Sequence, residues 1–316
     1  MKNILSLFVI GLILFSCNDG DIITEELEFD ATFDTCGELL VFNTKTDPNE
    51  SLSLEINSPV TTLESLFLTE VDATNPLLVN LVNVEESITI GTINRFNYRT
   101  YDANPANIFC NDVPASGINI TQDYTASGGT ATFTINLIED DNDGIPAELE
   151  DINGDGNLDN DDTDGDGLPN YLDDDDDGDN VKTITEQPNY TEADGLSLAQ
   201  NSDATLANPD NIPDYLDPDD DGDGILTIKE VSAIDDLNPT DDITDNNIGP
   251  DYLNEMITTS FEVVTYSSHT ISQTFELQLV ITDLSLPVLN QDFLNFGLLE
   301  NATGINQFTR EVTPTF

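Results

Sequence analysis

Ten of the twenty residues from Asp161 to Asn180, DDTDGDGLPNYLDDDDDGDN, are aspartates. Two unit charges about 5 Å apart repel by roughly 0.8 kcal/mol even in water, and by more once they are partly desolvated. A segment this acidic either stays solvated and extended or folds around counter-ions. The placement of the charges decides between these. A solvated linker needs charge but no phase, whereas a cation site needs oxygens at fixed spacing.

Ca²⁺ takes about six to eight oxygens, and a loop of twelve residues supplies them from positions 1, 3 and 5, a backbone carbonyl at 7 and a carboxylate at 12, with a turn residue at 6. The chain fits this template repeatedly. The first frame is Glu139, Asp141, Asp143, Gly144 and Glu150; the second is Asp151, Asn153, Asp155, Gly156 and Asp162. The third is Asp162, Asp164, Asp166, Gly167 and Asp173, so Asp162 would serve two loops. The fourth is Asp175, Asp177, Asp179 and Glu186, with Asn180 at the turn, a residue that also tolerates left-handed backbone. The fifth is Asp219, Asp221, Asp223, Gly224 and Glu230. The first four start at offsets of twelve, eleven and thirteen residues, a phase that a random acidic linker would not keep. The expected cofactor is Ca²⁺, several ions per chain.

Apolar punctuation recurs in register: PNYLD (Pro169–Asp173), PDYLD (Pro213–Asp217) and PDYLN (Pro250–Asn254). Their Tyr171, Leu172, Tyr215, Leu216, Tyr252 and Leu253 would form small pads between loops. Before the second pad the ligands have decayed to Asn208 and Asp210, and Gln187–Ala207 reads as an insertion without ligands, in which Asp203 should be dispensable. The stretches Asp141–Asp179 and Pro213–Glu230 resemble bacterial thrombospondin type 3 repeats, found in surface lipoproteins of the Bacteroidota. That resemblance implies tandem calcium loops with little regular secondary structure. Animal repeats are stapled by cysteines, which this segment lacks, so rigidity would rest on calcium alone.

The amino terminus reads as a targeting segment. Lys2 precedes an apolar run, Ile4–Phe15, too short to span a bilayer as a mature helix. The run ends in Leu14-Phe15-Ser16-Cys17, which resembles a lipobox with Cys17 as the lipidated residue. The acidic stretch that follows resembles an export tether, which implies a surface-exposed outer-membrane lipoprotein anchored through lipid. Cys36 and Cys110 then remain as an even pair in an oxidising compartment. Read as a disulfide rather than two buried thiols, they would contribute about 3–5 kcal/mol in the chain-entropy model.

The resulting organisation is 1–17 signal and lipobox, 18–30 tether, 31–138 a β-sandwich-like domain, 139–254 the acidic repeats and 255–316 a C-terminal β region. The fold class is mainly β. LSLEI (Leu52–Ile56) and ESITIGTI (Glu86–Ile93) alternate in polarity, and Gly117–Ile138 reads as a hairpin about Ser127-Gly128-Gly129 with Phe133, Ile135 and Leu137 on one face. VTTLESLFL (Val60–Leu68) is the best helix candidate. Beyond the acidic segment, Thr258–Tyr266 and Ser272–Leu286 return to strand pattern, the latter with Phe275, Leu277, Leu279 and Ile281 on one side; this tail would rejoin the first sheet or form a small second sandwich.

A net charge of −56, from 63 acidic against 7 basic residues, disfavours nucleic acid as a partner. No nucleophile, zinc-protease or phosphate-loop motif is present, and the sole histidine, His269, reads as an exposed loop residue. The expectation is therefore a non-enzymatic, calcium-stiffened lipoprotein with a structural, adhesion or interaction role and a protein or glycan partner. The alternative is an enzyme or folding helper, since some acidic flavobacterial lipoproteins resemble immunophilin-type prolyl isomerases.

Overall fold

The long strand β10 (His269–Ser285) lies between β9 (Gly128–Asp140) on one side and β11 (Asn290–Leu299) with β12 (Gln307–Val312) on the other. This computed structural model describes residues 27–315 apart from 58–60, 112, 114, 115, 207, 208, 234–236, 264 and 300–303. The targeting segment with Cys17 and residues 18–26 of the tether lie outside the described residues, whereas Leu27, expected in the tether, is buried in the core of the sheet. Pairing of β9 with β10 sets Phe133 opposite Leu279, Ile135 opposite Leu277 and Leu137 opposite Phe275. The period-2 alternation of both strands thus points the same way, and their apolar faces close one core.

The remaining strands are β1 (Thr32–Thr35), β2 (Leu40–Thr46), β3 (Asn49–Glu55), β4 (Thr69–Val71), β5 (Val79–Leu81), β6 (Glu85–Ile90), β7 (Arg95–Tyr101) and β8 (Ile120–Thr125). The main sheet runs β6-β9-β10-β11-β1-β2-β3-β7-β8, with β12 also on β10, and β4 pairs with β5 apart from it. The short β1 is the corner: it pairs in parallel with β11 and antiparallel with β2. The sheet folds over there, so that Leu52 and Leu54 of β3 and Phe96 of β7 share a core with Phe133, Leu277 and Phe296. Phe33 on β1 meets Phe296 on β11 edge to face, with ring centroids 5.5 Å apart. Residues 31–138 and 255–316 therefore build one curled sheet, with the acidic segment inserted between β9 and β10.

Three local expectations change. Gly117–Ile138 is not a hairpin, because β8 pairs with β7 while β9 pairs with β6 and β10, and Ser127–Gly129 carries the chain between the two halves. Residues 258–263 and 265–266 form no strand. The helix is a single turn, Leu63–Leu66, capped by Thr62 and Ser65. Cys36 and Cys110 are joined, with Cα atoms 5.2 Å apart, within the span a disulfide bridges.

Candidate metal centre

The acidic segment folds into successive turns. In four of the five frames the backbone N–H at position 6 donates to the carboxylate at position 1: Gly156 to Asp151 (2.8 Å), Gly167 to Asp162 (3.1 Å), Asn180 to Asp175 (2.9 Å) and Gly224 to Asp219 (3.0 Å). The side chains at positions 3 and 5 accept from the backbone two residues on, as in Asp166 N–H to Asp164 (3.0 Å) and Leu168 N–H to Asp166 (2.7 Å), except at Asp177. Each frame then turns through a short 3₁₀ segment at or just before its closing carboxylate, for example Thr183–Glu186 and Thr227–Lys229. In the first, third and fifth loops the carboxylates at positions 3 and 5 use one oxygen in this way and leave the other unpartnered, whereas both oxygens of Asp151, Asp162 and Asp175 at position 1 accept backbone N–H groups.

Backbone φ is positive at position 6 and also at position 4, where the residues are Asn142, Gly154, Gly165, Gly178 and Gly222. The second left-handed residue is a sequence signal the template does not contain. Glycine and asparagine reach that region at little cost.

The inward oxygens converge. Asp141, Asp143 and Glu150 place carboxylate oxygens within 4.8 Å of one another, as do Asp162, Asp164 and Asp166, and Asp175, Asp177 and Asp179. Many have no hydrogen-bond partner despite burial: Asp141 Oδ2, Asp143 Oδ2 and Glu150 Oε1 in the first loop, Asp164 Oδ2 and Asp166 Oδ2 in the third. The fourth loop leaves both oxygens of Asp177 and Glu186 and Oδ2 of Asp179 unpartnered. The fifth leaves Asp219 Oδ1, Asp221 Oδ2, Asp223 Oδ2 and both oxygens of Glu230. The second loop is the most open, with Asn153 and Asp155 exposed and Asp151 half-buried.

Burial, then neighbouring carboxylates, pushes several of these groups far above the ordinary carboxylate range. Asp141 rises to about 10, Glu150 and Glu230 to about 9, Asp175 to about 8, and Asp164 and Asp221 to about 7. Asp177, Asp179 and Glu186 are also raised well above it, chiefly by burial. At an effective dielectric constant of about 20, two ionised carboxylates at such spacing repel by about 3.5 kcal/mol. Oxygen-only donors arranged this way fit a hard divalent cation, which neutralises the charge and satisfies the lone pairs together.

Several site expectations are corrected. Glu139 does not join Asp141: it lies in β9, where its Oε1 accepts from Arg310 Nε (2.7 Å) and Gln273 Nε2 (2.9 Å). The residue that reaches back to the second loop is Asp161, whose Oδ1 accepts from Asn153 N at 3.1 Å, while Asp162 sits with Asp164 and Asp166. Asp173 turns toward Asp166 and His269. His269 is no exposed loop residue; it opens β10, is 1% exposed, and holds Nδ1 2.6 Å from Asp173 Oδ1 and 3.2 Å from Asp174 Oδ1, at ion-pair distance but off the line of a hydrogen bond. Asp203 is buried against Gly222, accepts from Asp210 N at 3.0 Å and leaves Oδ1 unpartnered, so it is built into the array.

The apolar pads also differ from expectation. Leu168, Leu172 and Tyr171 pack on Ile271 and Val312 of the sheet and on Leu77 and Leu78, rather than only between loops. Asn75 Nδ2 donates to Gly167 O at 2.5 Å and Arg310 Nη1 to Leu77 O at 2.7 Å. The array is therefore held by the sheet as well as by whatever neutralises it. Sequence reading missed Asp174, Asp176, Asp214, Asp217 and Asp220, all buried; the unbroken run Asp173–Asp177 was the available signal.

The family described as BamM C-terminal (BamM_C) matches residues 140–211, the segment that carries the first four loops. This overturns the resemblance to thrombospondin type 3 repeats, since the family that matches the acidic segment is a different one. The match covers less than a quarter of the chain. No curated protein and no solved structure matches the chain.

Proposed function

We propose that this chain is a calcium-binding, membrane-associated interaction protein, whose acidic array is made rigid by several Ca²⁺ ions and presented on the curled sheet. The observation that carries the reading is the convergence of buried, unpartnered carboxylate oxygens in the first, third and fourth loops, with further unpartnered oxygens in the fifth. Without cations these oxygens are either protonated or mutually repulsive; with them, binding free energy becomes folding free energy. Asp141, Asp143 and Glu150 would hold one ion, Asp162, Asp164 and Asp166 a second, Asp175, Asp177, Asp179 and Glu186 a third, and Asp219, Asp221, Asp223 and Glu230 a fourth. The open second loop, Asp151, Asn153 and Asp155, would bind more weakly. Mg²⁺ fits less well, because it favours a smaller octahedral, water-rich shell.

The interaction role draws on the match to BamM C-terminal, whose name points to assembly at the outer membrane. It agrees with the lipobox-like Leu14–Cys17, through which the chain would be anchored. Among the described residues no helix is long and apolar enough to cross a membrane. In this reading the array binds a component of the outer-membrane assembly machinery, and calcium sets the shape that is recognised. The test is calorimetric titration of chelated protein with CaCl₂, followed by cross-linking of the full chain in outer membranes. Several bound equivalents and calcium-dependent cross-links to assembly components are expected. Absence of calcium uptake refutes the metal reading; uptake without such cross-links refutes the assembly reading.

A further inference from the structure

Asp220 is out of phase with the ligand spacing of its own loop. It occupies the second position of the fifth frame, between Asp219 and Asp221, and it faces the fourth loop instead. Its carboxylate lies with those of Asp179 and Glu186, each offering an oxygen within 4.8 Å of the others. Asp220 is 1% exposed. Thr227 Oγ1 donates to its Oδ2 at 3.2 Å, which fixes the carboxylate and leaves Oδ1 buried without a partner. Both Glu186 oxygens beside it are likewise buried and unpartnered.

Asp176 repeats this arrangement at the second position of the fourth frame. Its backbone N–H donates to Thr183 Oγ1 at 3.1 Å, as that of Asp220 does to Thr227 Oγ1 at 3.4 Å, and both threonines are fully buried. Both Asp176 oxygens are buried and unpartnered.

We propose that Asp220 is a metal ligand donated across loops, completing the site of Asp177, Asp179 and Glu186. The metal is a hard divalent cation of the Ca²⁺ class, so the inference rests on the calcium reading and extends it. The ion of the fourth loop then spans the ligand-poor insertion and staples two loops distant in sequence. The free oxygen needed is Asp220 Oδ1, and the Thr227 hydroxyl on Oδ2 holds the aspartate toward the fourth loop.

Hydrogen exchange of the full chain at saturating Ca²⁺ separates this from a simple row of independent loops. Asp220→Asn keeps the shape and removes the charged ligand, while Asp221→Asn damages the fifth loop itself. Asp220→Asn should lower protection over residues 175–186 and weaken one calcium-binding step about tenfold, with 219–230 little changed. Asp221→Asn should act on 219–230. Thr227→Val, which removes the hydroxyl that holds Asp220, repeats the test independently should Asp220→Asn fail to fold. Loss confined to residues 219–230 in these variants, or unchanged calcium binding in Asp220→Asn, overturns the inference while leaving the calcium reading standing. A wild-type chain that gains no protection from Ca²⁺ in any loop overturns both.

Discussion

Nδ1 of His269 lies 2.6 Å from Oδ1 of Asp173, with both side chains about 1% exposed. The contact fastens the first residue of β10 to the closing carboxylate of the third loop, at the point where the array meets the sheet. Burial lowers the affinity of the imidazole for a proton, but Asp173 and Asp174 outweigh it and raise the ring to about 10.

Replacing His269 with Ala leaves Asp173 buried without its positive neighbour, while Asp174 keeps Lys182. Breaking a buried pair in this way costs about 3–5 kcal/mol, so denaturant titration should show a loss of that order in chelated protein. Because the imidazole is raised on folding, its contribution is present below its unfolded value of about 6.5 and is lost as pH rises through about 10. Wild type and variant should therefore converge only at strongly alkaline pH.

The loop carboxylates predict the pH dependence of the chelated protein. Asp141 and Glu150 stand at about 10 and about 9, above their ordinary values of 3.8 and 4.5. Groups raised on folding stabilise the folded state while protonated; that contribution is complete below the unfolded values and disappears as pH rises through the folded ones. In chelator, resistance to thermal unfolding should fall from pH 5 toward pH 9. With Ca²⁺ bound the ionised forms are favoured, so the trend should reverse over the same range.

Gly178 and Gly154 both sit at position 4 with φ of 71°, but only Gly178 is crowded. A Cβ there would collide with the side chain of Asp164, whereas at Gly154 it would meet open space. Gly154→Ala should cost about 1–2 kcal/mol, the backbone penalty alone. Gly178→Ala should cost more and displace Asp164, measured as a lower Tm together with weaker calcium binding.

Leu172 carries the docking of the array on the sheet, packed with Leu168 and Ile271. Leu172→Ala should cost about 2–5 kcal/mol. It should also admit protease into 139–254 before the sheet is cut, even with Ca²⁺ present, which limited proteolysis would show.

What the sequence discloses follows the range of the interactions. The loop frames are legible because an oxygen-bearing side chain at every second residue and a turn residue at position 6 are constraints within twelve residues. The faces of β9 and β10 are legible for the same reason, since alternation is local: Phe133, Ile135, Leu277 and Leu279 are buried as their period requires. Contacts between distant segments leave no such period. Nothing near Thr32–Thr35 announces a parallel partner at Leu298 and Leu299, and nothing near Glu139 announces Arg310. His269 reads as a loop residue because its burial comes from the third loop, far away in sequence. Asp220 looks like surplus charge because the carboxylates it meets, Asp179 and Glu186, lie in another loop.

The central claim is that bound Ca²⁺ gives the acidic segment its shape, and thermal unfolding of the soluble chain with limited proteolysis, in chelator and in millimolar CaCl₂, tests it most directly. The account predicts a large rise in Tm and protection of residues 139–230 on adding calcium, with no equal effect from Mg²⁺. Equal Tm and equal protease resistance after every divalent ion has been stripped away would contradict it.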